Sequence, residues 1–473
     1  FVKKLKIMER LFNKEKYIQR RKQLKEKVGF GVIFMPGNFH LSMNYPANPL
    51  RFRQDSNFLY FFGLDSPELA GVIDVDNDEE LLFGPEFSVD DLIWTGQVEM
   101  FDQRAFKVGV SKVFSYSKLE RYIKKTVEEK RKIHFLPPYQ GEKKIVLSEM
   151  LGFPVAKLKE QASDVLIKAV VAIRSKKDAD EVDEIEYALN NITAEIYRQC
   201  MSVIRPGIKE SEFASIAEGY ALKHNCRLAY PAICTVNGQY LHNESYDNIL
   251  KDGQLLLIDA GSESPMHYAS DITRTIPVSK KFNTQQKEIY LLVLDMQQKA
   301  LSLMKPGVPY SFVHKNACEV LVKGMIQLGL MKGNVAEVVE AGAHALFFPH
   351  GLGHLLGLDV HDMEDLGEAN TGYDETYKRS QQFGTRFLRY GKELHEGIVI
   401  TVEPGIYFIP ELIDQWKSES RYSQFINYAA LEKYKNFGGI RIEDNVLITN
   451  DNYKILGNLI PKSVFDVEAA CNL

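Results

Sequence analysis

Apolar positions follow two rhythms along the chain. Over residues 28–170 they gather in short β-prone runs, GVIFMP, NFLYFFGL, LAGVIDVD and ELLFGP, separated by polar helical stretches such as Ser117 to Lys132. That alternation predicts a mixed α/β domain. The opening stretch FVKKLKIMERLFNKEKYIQRRKQL spaces its apolar residues helically without a continuous apolar core, which predicts an amphipathic helix and not a signal peptide. Near Arg174 the rhythm changes to RSKKDADEVDEIEYALNNITAEIYRQCM, where acidic residues open a long helix as the helix dipole favours. A smaller N-terminal domain over 1–172 and a larger C-terminal domain over 173–473 are expected, in an α/β (α+β) chain.

The second half contains a repeat. Helical segments break at Pro206-Gly207 and again at Pro306-Gly307, and each is followed by another helical stretch. A strand of one shape then follows each: GQLLLIDAG ending at Gly261, and GIVITVEPG ending at Gly405. In both, a carboxylate (Asp259, Glu403) stands six residues after a glycine (Gly253, Gly397) and two before another. Duplicated helix-helix-strand units follow from this, with the matching acids facing each other across a pseudo-two-fold axis.

Four carboxylates stand inside apolar, β-branched runs: Asp259 in LLLIDAG, Asp271 in ASDITRTI, Glu403 in IVITVEPGIYF and Glu443 in GGIRIEDNVLIT. Each context predicts a buried strand, and buried carboxylates need compensating charge. Strand parity puts Asp271, Thr273 and Thr275 on one face, and Arg441, Glu443 and Asn445 on one face. Asp259 and Asp271, twelve residues apart with a turn between, fit adjacent strands of a hairpin. A single such acid is more often a salt-bridged residue; four together with a histidine cluster point to metal. Arg441 is either a charge partner of Glu443 or part of the site.

That cluster, PHGLGHLLGLDVHD, carries His350, His354 and His361. Its glycines argue against a helical His-Glu-x-x-His zinc site, and no glutamate stands where the base of one would be. They instead let the backbone approach a ligand, with the imidazoles presented from a strand-like or turning segment. Oxygen-rich ligation with one imidazole suits a hard or borderline divalent ion, Mn2+ first and Co2+, Zn2+ or Fe2+ after it. Four carboxylates match the charge of two such ions, a pair that can bridge and activate a water for acyl hydrolysis.

Composition excludes other classes. The 473 residues are 45% hydrophobic and 26% charged, the balance of a globular protein too long for one core. A formal net charge of −5 gives no field to attract nucleic acid or anionic lipid, and no apolar run reaches the ~18 residues of a membrane span. Five scattered cysteines suggest reduced thiols and a cytoplasmic setting.

Taken in order, LIDAG, ASDITRT, PHGLGHLLGLDVHD, TVEPGIYF and GIRIED resemble the aminopeptidase P and prolidase family, with its pita-bread metallopeptidase fold, and RFRQDSNF followed by LYFFGL resembles its N-terminal domain. The resemblance implies that Asp259 binds one metal, His354 and Glu403 the other, and Asp271 and Glu443 both. It implies that His350 and His361 act at the scissile carbonyl as donors to the developing oxyanion, that His242 lies near the substrate, and that Arg441 stands beside a bridging glutamate. It also implies cleavage of the bond between an N-terminal residue and a following proline, and a homodimer or homotetramer. Trp94 could reach a neighbouring subunit's pocket, although a core or surface aromatic is the commoner case. Peptide substrates with proline second divide into longer peptides, the aminopeptidase P reading favoured here, and dipeptides. Prolidases read the dipeptide carboxylate with arginine, and the basic loop 377–393 offers Arg379, Arg386 and Arg389, the last standing near where prolidases place that group. Non-enzymatic interaction domains and metal-independent creatinase-like proteins share the fold but depart from this ligand set.

Overall fold

The structure is a computed structural model and describes residues 10–86, 93, 94, 96 and 99–473. Contacts divide the chain into two units, 1–174 with 365–370 and 175–364 with 371–473.

The first unit is built on a mixed five-stranded sheet in the order β4-β3-β2-β1-β5. Its strands are β1 (Val32–Pro36), β2 (Ala70–Asp74), β3 (Glu79–Gly84), β4 (Lys112–Ser115) and β5 (Ile133–His134). Phe34, Val72, Leu81, Phe83, Leu119, Ile123 and Leu147 form a core on it. The expected N-terminal helix is α1 (Lys14–Val28), capped by Asn13; it starts later than the periodicity suggested, and residues 1–9 lie outside the described ones. The RFRQDSNF stretch opens α2 (Ser56–Phe62), where buried Asp55 accepts from the Phe58 amide at 2.9 Å and from Lys143 at 2.6 Å. The helix expected from Ser117 to Lys132 is regular only over Leu119–Glu128.

In the second unit, a capping box of Asp178 and Glu181 starts α3 (Ala179–Ala188), which runs through a π turn into α4 (Ala194–Val203). The Pro206-Gly207 break leads to α5 (Glu210–Lys223); the Pro306-Gly307 break joins α6 (Thr284–Leu303) to α7 (Tyr310–Gln327). The two breaks share one hydrogen-bond pattern. Gly207 N–H donates to Leu250 O and Gly307 N–H to Leu394 O, both at 2.8 Å; Leu250 and Leu394 donate back to Ile208 and Val308. Gly207, Gly253, Gly307 and Gly397 all have left-handed φ between 78° and 90°, a region where a Cβ is disfavoured. The duplication is therefore physical as well as textual.

Each half then forms a three-stranded sheet. One is β6 (Ile233–Thr235), β7 (Leu255–Asp259) and β8 (Thr273–Pro277); the other is β13 (Tyr453–Ile455), β12 (Asp444–Ile448) and β9 (Val399–Val402). A short antiparallel pair, β10 (Gly405–Tyr407) and β11 (Gly439–Arg441), completes the second half. All five cysteines are free and buried. Among the described residues no helix is long and apolar enough to cross a membrane.

Candidate metal centre

The β7–β8 register sets Asp259 opposite Thr273, so Asp259 closes one strand while Asp271 stands two residues before the other begins. In the second half Val402 faces Asp444 and Gly405 faces Arg441. Between these pairings the regular ladder is broken: Pro404 has no N–H to donate and only accepts from Ile442 N–H at 3.3 Å, while Glu403 and Glu443 turn their N–H groups to Leu352 and Thr273. Asp271, Glu403 and Glu443 thus stand at strand ends, not inside strands as the apolar runs suggested. Glu443 N–H donates to Thr273 O at 3.1 Å, stitching the two halves together beside all four acids.

The histidine segment runs along β9. Thr401 N–H donates to His354 O and Glu403 N–H to Leu352 O, both at 2.9 Å. Gly353 serves this contact, since a Cβ there would lie 2.1 Å from Thr401 O, and Gly351 admits a different segment, since a Cβ there would lie 2.5 Å from the Leu388 Cα. The close approach they permit is to neighbouring backbone, where the sequence suggested a ligand.

His354 Nε2 lies 3.3 Å from Asp271 Oδ2 and 3.5 Å from Glu403 Oε1. Ligand atoms of Asp271, His354 and Glu443 all fall within 4.8 Å of one another, and all three residues are buried. Burial and mutual repulsion push the Asp271, Glu403 and Glu443 carboxyls well above the ordinary range. Burial lowers His354 to about 4, keeping it neutral with a lone pair to give. Glu443 accepts from Thr273 Oγ1 at 2.8 Å through Oε2, while its buried Oε1 has no partner. An orphaned carboxylate oxygen among repelling acids is what a site for cations looks like without them, so the residues fit divalent metal.

Arg441 is the cation that meets these acids among the described residues. It pairs with Asp259 at 2.5 Å, not with Glu443, and donates to Thr273 Oγ1 and Tyr407 Oη at 3.0 Å each. Tyr230 Oη bonds both Asp259 (2.6 Å) and Asp271. His350 Nδ1 donates to Gly351 O and its Nε2 meets Tyr407 Oη, both at 2.8 Å; burial, then Arg441, lowers the ring to about 3. His361 packs 4.3 Å from the His354 ring, and its Nδ1 donates to Glu364 Oε2 at 2.6 Å. Arg389 donates to the other oxygen of Glu364 at 2.7 Å. Arg379 and Arg386 do not join this chain: Arg379 donates to Arg386 O within the loop, and Arg386 lies over the Phe383 and Phe387 rings. His242 is exposed, in electrostatic reach of Arg441, Asp259, His361 and Arg389. Trp94 is 86% exposed.

The sequence reading missed Tyr230, Tyr407 and Glu364. Tyr407 lies inside the TVEPGIYF motif, and Glu364 follows His361 by three residues, a one-turn spacing. Nothing local marks Tyr230.

Residues 187–450 match the family described as metallopeptidase family M24, and residues 17–134 match the aminopeptidase P N-terminal domain. Xaa-Pro dipeptidase of Homo sapiens is 30% identical, over 97% of this chain and 92% of that protein. A protein of Uncinocarpus reesii named "Probable Xaa-Pro aminopeptidase PEPP" is 32% identical, over 93% and 90%. The solved structure of Pseudomonas aeruginosa aminopeptidase PepP superposes with a TM-score of 0.80 at 28% identity, covering 98% of this chain and 99% of that one.

Proposed function

Since the chain belongs to metallopeptidase family M24 and is a metallo-exopeptidase that uses divalent metal ions, we propose that it is an Xaa-Pro aminopeptidase, releasing an N-terminal residue from a following proline. The observation that carries this is the convergence of buried Asp271, His354 and Glu443 around an orphaned carboxylate oxygen, with half-buried Glu403 3.5 Å from His354 Nε2 and half-buried Asp259 sharing Tyr230 with Asp271. On this reading Asp259, Asp271, His354, Glu403 and Glu443 would hold two divalent ions, Mn2+ foremost. Bound there, the ions supply a water acidified toward neutrality and Lewis-acid polarisation of the scissile carbonyl.

The chain's own residues do the rest. Tyr230 and Arg441 fix the orientation of Asp259, and Thr273 fixes Glu443. His361, with Nδ1–H given to Glu364, presents Nε2 to take one proton from the attacking water; Glu364 supports the ring while it is protonated, and His361 passes that proton to the proline nitrogen as the C–N bond breaks. His361 is thus a proton carrier before it is a donor. His350, held by Tyr407 and Gly351, lines the carbonyl side, and exposed His242 lies toward the incoming chain. A Xaa-Pro bond has no N–H for a peptidase to grip, and a metal-activated water needs none.

The dipeptidase reading rests on Arg389. Its tie to Glu364 makes it a support of His361, so a dipeptide carboxylate would have to compete for it, which favours longer peptides. With Mn2+ supplied, Xaa-Pro-Yaa should turn over faster than Xaa-Pro, and Arg389→Ala should lower both alike. Dipeptide turnover that is faster and selectively lost in Arg389→Ala would establish the dipeptidase instead. The free buried thiols suit a reducing, cytoplasmic setting. The dimer or tetramer expected from the resemblance is testable by light scattering.

A further inference from the structure

A second cluster of ligating side chains lies in the catalytic unit outside the centre described above. His314 and Cys318 are one turn apart on α7, and His344 sits in the short turn Ala343–Leu346. Their ligand atoms all lie within 4.8 Å of one another, with every residue buried. Cys318 Sγ is 3.7 Å from His314 Nε2. Bonds of about 2.3 Å to sulfur and about 2.0 Å to nitrogen around one ion would place such atoms roughly 3.5–3.7 Å apart.

The polar accounting at His344 points the same way. His314 Nδ1 and both nitrogens of His344 have no hydrogen-bond partner, although His344 is 1% exposed. A neutral imidazole carries one N–H and one lone pair, and leaving them unmet in a dry interior is unfavourable; an ion beside Cys318 Sγ would engage His314 through Nε2 and would satisfy one nitrogen of His344. Burial keeps both rings neutral, so their lone pairs are available. None of the three residues belongs to the acidic centre, but Phe348 packs against His314 at 5.5 Å between ring centroids and against His350 at 4.7 Å.

We propose that His314, Cys318 and His344 form a closed three-coordinate site for a thiophilic metal ion, Cu+ ahead of Zn2+. Softness selects both ions for a thiolate with imidazoles. Charge separates them: Cu+ with the Cys318 thiolate is neutral, whereas Zn2+ leaves one uncompensated positive charge in a buried site and lacks a fourth ligand. Binding releases the Cys318 thiol proton to solvent. Because the site is closed, the ion enters as the chain folds.

The test loads the full chain during expression in medium supplemented with copper or with zinc, then strips exposed ions with a chelator. Metal per chain is measured, with X-ray absorption at the metal edge. About one chelator-resistant copper per chain, with one sulfur in its shell, absent from Cys318→Ala, supports the site. A sulfur-ligated zinc with no copper retained overturns the choice of ion. No retained ion under either supplement, equal retention by Cys318→Ala, or a shell without sulfur overturns the site itself. If Cys318→Ala fails to fold, the sulfur shell in the unaltered chain decides, since the acidic centre offers no sulfur.

Discussion

The two oxygens of Glu443 meet different fates: one accepts from Thr273 and the other is buried without a partner, beside three like-charged neighbours. Glu443→Gln removes a charge from that crowd, so it should lower metal-dependent activity by about 10–100-fold, as loss of groups that hold or orient a metal does. The same change should raise the melting temperature of the metal-free protein. The sign follows from linkage. Carboxyls raised above their unfolded values, about 4, keep protons in the folded state that the unfolded chain has lost, so metal-free stability falls as pH rises from there toward the raised values. The advantage of Glu443→Gln over the unaltered chain should therefore grow with pH in melts under chelator. An advantage that is flat with pH would remove like-charge repulsion from the account. At Glu364, substitution by Gln should lower kcat about 10–100-fold with a smaller change in KM, the pattern for a group that orients another; steady-state kinetics distinguishes this from a binding defect, which would move KM alone.

At the scale of elements, the strand ends are held by a buried ion network. Arg274 donates to Asp444 Oδ1 at 2.7 Å and to Glu443 O at 2.6 Å, and Lys462 reaches Asp444 Oδ2 at 2.5 Å. Burial alone would raise the Asp444 carboxyl, but Arg274 and Lys462 more than offset it and hold it below its ordinary value. Asp444→Asn leaves Arg274 buried without its counter-charge and should cost about 3–5 kcal/mol in urea unfolding. A depressed carboxylate contributes fully above its unfolded value, near 3.9, and loses that contribution as pH falls through its folded value, so the deficit should shrink below about pH 4. This network was not legible in the sequence, because Arg274 meets partners some 170 residues away. The acids of the centre were legible, because a carboxylate in a β-branched run contradicts its surroundings. Their placement at strand ends was hidden, since Pro404 and the turn before Thr273 interrupt ladders that the apolar pattern alone would continue. The glycines around His354 were visible, but whether they admit a ligand or the β9 backbone is decided only by tertiary packing.

For the molecule as a whole, two halves of one unit carry the same Pro-Gly break, the same return hydrogen bonds and the same strand ending in an acid. That repetition ends one strand of each half at or beside an acid, Asp259 and Glu403, both within electrostatic reach of Asp271, and the β8 and β12 ends add Asp271 and Glu443. Arg441 is the basic side chain that offsets them among the described residues of the site, so the acids keep protons when no cation is bound and exchange them for divalent metal when one is. The most direct measurement is a titration of chelator-stripped full-length protein with Mn2+, following release of the first residue from an Xaa-Pro-Yaa peptide. The account predicts no release without metal and a rise that saturates at two equivalents per chain. Hydrolysis that persists in the stripped protein, or metal that binds without restoring it, would contradict the assignment.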